Sequence, residues 1–203
     1  MPLLVTPALP AGALRALGQP TLAVDERLAL RPWRPSDVEA VRAAFDCPDI
    51  QRWHVRRMDS DEEAHGWIDG WAARWAAETD AGWAIVDPRE DRVVGQVGLR
   101  TVALAEGSAQ LSYWVLPAAR GAGVAAGAVQ ALTGWAFDTL GLHRLFLMHS
   151  TANEPSCRVA AKVAFALEGT LRGHLRHADG WHDVHMHARL RTDPPHPGSS
   201  SRG

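Results

Sequence analysis

The sequence predicts one α/β (α+β) domain in which helices pack against a mixed sheet. Two observations carry this. Of 203 residues, 46% are hydrophobic and 22% charged, with a formal net charge of −2, which is the balance of an ordinary soluble globular chain with one buried core. The second is the order of patterns. A strand and two helices come first, a run of strands joined by tight turns follows, and strand–helix alternation closes the chain. A meander pairs its strands antiparallel, whereas a strand–helix–strand crossover makes parallel neighbours.

Each element has a local signal. Residues 1–21 form an apolar leader that lacks a basic start and is interrupted by Pro2, Pro7 and Pro10. It therefore reads as a segment packing on the domain, with a short helix over Ala11–Leu17, and not as a signal peptide. The domain proper spans residues 22–191. Leu28–Trp33 suits a first strand. In "PSDVEAVRAAF", Ser36 and Glu39 stand in capping-box spacing and Val38, Val41, Ala44 and Phe45 share a helical face. After the loop "DCPDIQRWHVRRMD", a second capping box at Ser60 and Glu63 opens a helix with Trp67, Trp71 and Trp75 on one side.

"GWAIVD" (82–87), "RVVGQVGLRTVAL" (92–104) and "SAQLSYWVLP" (108–117) read as strands joined by turns. A glycine loop then leads into a helix that runs to about Leu140 and is capped by Gly141. "HRLFLMHS" (143–150) is a buried strand and "NEPSCRVAAKVAF" (153–165) a helix. "LEGTLRGHLRH" and "WHDVHMHARL" close the domain as a hairpin across "ADG". Residues 192–203 have the composition of a disordered tail.

Several function classes drop out. A net charge of −2 gives no global field for nucleic acid or an anionic membrane. No stretch approaches the roughly 20 apolar residues of a membrane span. Cys47 and Cys157 sit in no metal-ligand spacing, and the expectation is two reduced thiols in a cytoplasmic protein.

The chemistry concentrates at "ARGAGVAAGAVQAL" (119–132). A strand ending at Pro117 and turning straight into a helix leaves the first helical N–H groups without acceptors. Glycines there let a phosphate approach without meeting a Cβ, and the helix dipole adds attraction. On spacing alone, a pyrophosphate cradle and a plain turn both stand. Without Gly-Lys-Ser/Thr the loop is not that of a P-loop NTPase, and Ala126 occupies the place of the third glycine of a dinucleotide fingerprint.

Arg120-Gly121-Ala122-Gly123-Val124-Ala125 resembles the acetyl-CoA loop, Arg/Gln-x-x-Gly-x-Gly/Ala, of the GNAT family of N-acetyltransferases. "LSYWVLPAARGAGVA", "LRPWRPSD" and "NEPSCRVAAKVAFALEG" resemble, in the same order, stretches of its RimJ/RimL-like branch, which acetylates ribosomal-protein N-termini. The resemblance covers about residues 22–190. It implies the GNAT fold: a mixed, mostly antiparallel sheet flanked by helices and splayed between the fourth and fifth strands. It also implies acetyl-CoA as cosubstrate, no metal, an amine acceptor, and a monomer or homodimer. The acceptor is a protein N-terminus or a small amine such as an antibiotic or polyamine, attacking the thioester directly in a ternary complex. A non-catalytic acyl-CoA-binding domain is the other reading.

By that resemblance Trp114, Val115 and Leu116 face pantetheine, and Arg120, Gly121, Ala122, Gly123, Val124 and Ala125 the pyrophosphate. Asn153 stands near the cofactor arm, where it also reads as a helix N-cap. Ser156 takes the place of the residue that assists the departing thiolate, since Tyr113, the single tyrosine, lies in a strand and not in the later helix where the family keeps one. Cys157 reads as a core thiol, with an acetyl-cysteine route as the alternative. For a general base, His174 is the expected candidate, with His177, Glu106 or no dedicated base as alternatives; Glu168 comes too early in its strand. Trp53, His54 and Trp67 are candidates for the acceptor wall, while Trp71 and Trp75 read as core. Asp183, His185 and His187 share a strand face but are expected to be solvated, without a metal.

Overall fold

The computed structural model describes residues 4–194. Its strands are β1 (Leu22–Ala23), β2 (Ala29–Pro32), β3 (Ala81–Asp87), β4 (Arg92–Ala103), β5 (Ser108–Val115), β6 (Arg144–Ser150), β7 (Ala166–His177) and β8 (Gly180–Leu190). The helices are α1 (Ala13–Ala16), α2 (Val38–Asp46), α3 (Pro48–Gln51), α4 (Asp61–Ala76), α5 (Val124–Trp135) and α6 (Glu154–Lys162). Helix α5 runs on through a π-helical turn, Ala136–Leu140, and stops at Gly141.

The strands form one sheet in the order β1-β2-β3-β4-β5-β6-β8-β7. Only β5 and β6 run parallel, because α5 crosses between them; the other neighbours are antiparallel. The β5–β6 pairing ends at Leu111 opposite Leu147. Beyond it β5 stays on β4 as far as Val115, and β6 stays on β8 as far as Ser150. The sheet therefore splits. The expected fourth and fifth strands are β5 and β6, displaced by one because the two-residue β1 precedes the rest.

The main core lies between the sheet and α5, α4 and α1. Trp83 is fully buried and stands 5.8 Å from Trp75 and 5.3 Å from Trp135. Its Nε1–H donates to the Pro20 carbonyl at 2.8 Å, which satisfies the polar edge of a buried indole.

The leader packs onto this core. Leu14 is fully buried, which contributes about 2 kcal/mol. Glu78, held in a left-handed conformation at φ 59°, accepts from the N–H groups of Gly12 (2.6 Å), Leu14 (2.8 Å) and Arg15 (3.1 Å). The carboxylate thus meets the unsatisfied N–H groups at the start of α1. The part of the expected tail beyond 194 lies outside the described residues.

Two local readings need correction. The capping box at Ser36 and Glu39 does not form. A 3₁₀ turn, Pro35–Asp37, precedes α2, and the Asp37 carboxylate accepts from the Arg34 N–H at 2.8 Å. It also takes two bonds from the Arg31 guanidinium, at 2.7 and 2.8 Å, with both side chains buried. A bidentate charge-assisted pair outweighs a neutral hydroxyl cap. Asp37 in turn holds the Arg31 pKa above its ordinary value. Second, the loop after α2 contains the short helix α3. Of the other capping box the serine half forms, with the Glu63 N–H donating to Ser60 Oγ at 3.2 Å, while the Glu63 carboxylate accepts from the Asp59 N–H at 2.6 Å.

Candidate active site

A cleft of about 1010 Å³ opens where β5 and β6 part. One wall is the end of β5 with the glycine loop and the first turn of α5. The other is the end of β6 with α6. The segment after α3 and the end of β7 complete it through Trp53, His54, Leu175 and His177.

The glycine loop fits a phosphate on its own geometry. Gly121 and Gly123 both sit at φ 79°, where a side chain is strained. A Cβ on Gly121 would meet nothing within 4 Å, and one on Gly123 would stand 3.7 Å from Lys162 Nζ. The loop thus presents bare backbone with a cation beside it. Helix α5 begins at Val124 with no side-chain cap, which leaves its first N–H groups facing the cleft mouth. Arg158 and Lys162, from α6, line the same region. Arg120 is engaged elsewhere: its Nε donates to the Val115 carbonyl at 3.0 Å and its Nη1 to Asp49 at 2.7 Å. The positive charge nearest the cradle therefore includes Lys162, which the sequence reading did not single out. Its position, about two and a half turns after Asn153 at the end of the same helix, was the available signal.

Trp114 and Val115 line the cleft. Strand β5 spends the backbone groups of one edge on β4, so beyond Leu111 the opposite edge has no strand to pair with. Such edge groups suit an extended amide-bearing arm. Asn153 also lines the cleft, and its side chain accepts from the Ser156 N–H at 3.2 Å as the N-cap of α6.

Ser156 and Tyr113 meet here. Tyr113 Oη stands 2.7 Å from Ser156 Oγ, across the opening of the sheet. Burial pushes the Tyr113 phenol up to about 12, against the opposing pull of the Ser156 hydrogen bond. The tyrosine that seemed misplaced in the sequence thus reaches the serine through space. Side-chain alternation along β5 was the one sequence signal: it puts Tyr113 and Leu111 on the same face.

His177 is buried in the cleft wall, and neither ring nitrogen has a hydrogen-bond partner. Burial pushes its pKa down, reinforced by His182. Its ring meets Trp53 edge-on at 5.7 Å. His54 packs edge-on against Phe45 at 5.4 Å, and burial and then Arg100 push its pKa down too.

Five expected site residues lie elsewhere. His174 is exposed on β7, outside the cleft, where the β7–β8 register shifts between Leu171 and Leu175. Trp67 packs 5.0 Å from Trp33 and 5.8 Å from Phe45, between α2 and α4. Leu116 turns toward Ala44, Ile50 and Trp114. Ala122 lines a separate small pocket with Arg27 and Arg92, because the loop turns it away from the cleft between its two glycines. Glu106 is exposed in the β4–β5 turn. Glu168 is paired with Arg144, which holds its carboxyl below the usual range.

Comparison with known proteins fixes the family. The model of the acetyltransferase (GNAT) domain matches residues 27–166. The chain belongs to the GNAT acetyltransferase family. This GNAT protein is 28% identical over 167 residues to the uncharacterized N-acetyltransferase YoaA of Bacillus subtilis (strain 168), covering 82% of this chain and 94% of that one. It is 28% identical over 102 residues to the ribosomal-protein-serine acetyltransferase of Escherichia coli (strain K12), covering 50% of this chain and 57% of the relative. Among solved structures it resembles Mycobacterium smegmatis RimJ in complex with CoA-disulfide. The TM-score is 0.78 at 24% identity, covering 92% of this chain and 90% of the other. The GNAT chain is thus an N-acetyltransferase, with the mixed, mostly antiparallel GNAT sheet. No helix among its described residues is long and apolar enough to cross a membrane.

Proposed function

We propose that this GNAT enzyme moves the acetyl group of acetyl-CoA to the α-amine of a protein N-terminus, by direct attack in a ternary complex. One observation carries the reading. The bare-backbone loop at Gly121 and Gly123 and the Tyr113–Ser156 pair line one continuous cleft at the split of the sheet. The cradle holds the pyrophosphate with backbone N–H groups and Lys162. The open edge of β5 takes the pantetheine arm, which brings the thioester toward Ser156.

Ser156 donates to the departing sulfur, and Tyr113 donates to Ser156. Neither gives up its proton for long. A phenol at about 12 facing a thiol near 8.5 would lose about 5 kcal/mol on full transfer. The pair therefore stabilises developing negative charge with two aligned O–H dipoles. The attacking amine, positively charged once bonded to the acetyl carbon, is the strong acid that supplies the thiol proton. His177 is suited to carry protons from the incoming amine, being held neutral with its one basic lone pair open. An N-terminal amine has a pKa near 8, so an appreciable fraction enters already neutral.

The acceptor follows from the charge of the lining. Asp49 and Glu154 are its acidic residues, and Asp49 is bound to Arg120. The acidic run Asp61–Glu63 caps α4 and lies outside the cleft. Glu154 is paired with Arg158, so a polyamine or aminoglycoside, carrying several positive charges, finds no unpaired carboxylate in the lining. A peptide with one amine and a row of carbonyls suits the Arg52, Trp53, His54 and His177 end. The similarity to a ribosomal-protein-serine acetyltransferase supports the same acceptor class.

The test follows thiol release from acetyl-CoA against N-terminal peptides, polyamines and aminoglycosides. Transfer to peptides alone is expected. Transfer to polyamines or aminoglycosides alone would refute the acceptor assignment, and tight CoA binding with no transfer at all would refute the catalytic one.

A further inference from the structure

Behind the cleft, β6, β8 and α6 bring together four side chains that acetyl transfer leaves unused. His149 lies opposite His185 in the β6–β8 register, and His187 follows two residues on, on the same face. The His149 ring stands 5.5 Å from that of His185 and 5.2 Å from that of His187. Cys157, in the first turns of α6, adds its sulfur. One ligand atom from each of the four lies within 4.8 Å of all the others.

The unsatisfied nitrogens make this more than a cluster of histidines. His149 Nε2, His185 Nδ1 and His187 Nε2 are each buried with no hydrogen-bond partner. The opposite nitrogens of two rings are spoken for. His149 Nδ1 faces the Ser150 carbonyl at 2.8 Å and His187 Nδ1 the Phe165 carbonyl at 3.2 Å. A carbonyl only accepts, so each Nδ1 carries the proton and each Nε2 keeps a buried lone pair. A ring N–H donated to a backbone carbonyl, with the other nitrogen left open, is how proteins orient a metal-binding imidazole.

We propose that His149, Cys157, His185 and His187 form a binding site for Zn²⁺. Three imidazoles and one thiolate are a closed tetrahedral donor set for this ion. Zinc–nitrogen bonds of about 2.0 Å and a zinc–sulfur bond of about 2.3 Å need donors about 3.5 Å apart. The four groups therefore draw inward on binding. The Cys157 thiol gives its proton to solvent as its sulfur binds, leaving one positive charge on the site. Four protein ligands leave no open position, so the ion ties α6, and with it Asn153 and Ser156, to β6 and β8. His149 lines the cleft, which gives the ion an entry path. The site stands independently of the acceptor and of the acyl chemistry.

The test uses the full chain without a histidine tag, stripped with a chelator and dialysed. Added Zn²⁺ should bind in a one-to-one ratio and raise the melting temperature. Co²⁺ should give the intense visible bands of a tetrahedral site and a thiolate-to-cobalt charge-transfer band. Cys157→Ser should lose that last band, and His185→Ala should weaken Zn²⁺ by about tenfold or more. Substoichiometric Zn²⁺, or a weak octahedral Co²⁺ spectrum in the unmodified chain, would overturn the proposal without any variant. Unchanged Zn²⁺ affinity in both folded variants would do the same.

Discussion

Tyr113 Oη lies 2.7 Å from Ser156 Oγ, although the two residues stand 43 positions apart. The contact spans the point where β5 and β6 separate, so it forms only because the sheet splits there. Both hydroxyls are needed for one polarised chain, and removing either breaks it. Tyr113→Phe and Ser156→Ala should each lower kcat by about 100-fold with little change in the KM for acetyl-CoA. The double variant should be scarcely worse than the weaker single one, because groups acting as a unit are non-additive. Fully multiplicative losses would mean that the two act separately.

The cradle predicts a separate defect. At Gly123 a carboxylate would enter the space proposed for phosphate, at a backbone angle of φ 79° that non-glycine residues avoid. Gly123→Glu should abolish CoA binding by calorimetry. Lys162→Ala, which keeps the backbone, should weaken it by about tenfold through loss of one charge-assisted contact. If Lys162→Ala binds CoA as tightly as the unmodified chain, the cation beside Gly123 has no part in holding phosphate.

Much of this architecture was legible in the chain because it rests on local rules. The strands of the meander and the glycine at the mouth of α5 follow from alternation, turn residues and the needs of a helix start. Residues whose role depends on a through-space partner were not legible. Tyr113 read as misplaced because sequence offers no distance from β5 to α6. His174 and His177 stand three positions apart, an odd interval that alternation puts on opposite faces, and the sequence did not say which face meets the cleft; Leu175 and His177 share the one that does. Trp67 shares its helical face with core residues and went to the core with them. Ser36 lost its expected capping role to Asp37 because Arg31, one strand away, is a stronger partner than a backbone N–H.

The buried imidazoles set an acid limit. His54 and His177 both have pKa values below the ordinary imidazole value near 6.5, with burial the largest cause. The unfolded chain then binds protons that the folded chain refuses. Stability is full above about pH 6.5 and falls as the pH drops from there through the folded-state values. The melting temperature should decline over that window, and less steeply in a His54→Gln, His177→Gln double variant. A decline of the same slope in both proteins would assign it to other groups. If His177 also carries the amine proton, His177→Gln should lower kcat and leave the acid limb of kcat/KM to the amine alone, near pH 8, while leaving CoA affinity intact.

The Arg31–Asp37 pair anchors the start of α2 to the sheet. Arg31 belongs to β2, Asp37 begins the descent into α2, and both side chains are almost fully buried. Removing the charge of the carboxylate leaves a buried guanidinium without its paired anion. Such a loss costs about 3 kcal/mol or more. Asp91 also reaches Arg31 Nε, at 3.2 Å, but that carboxylate is mostly exposed and offers weaker compensation. Asp37→Asn should therefore lower the urea midpoint by the equivalent of about 3 kcal/mol, with the denaturant slope unchanged. Arg31→Met with Asp37→Leu, which removes both charges, should recover much of that loss. A double variant as unstable as Asp37→Asn would show that packing at the start of α2, and not the stranded charge, carries the cost.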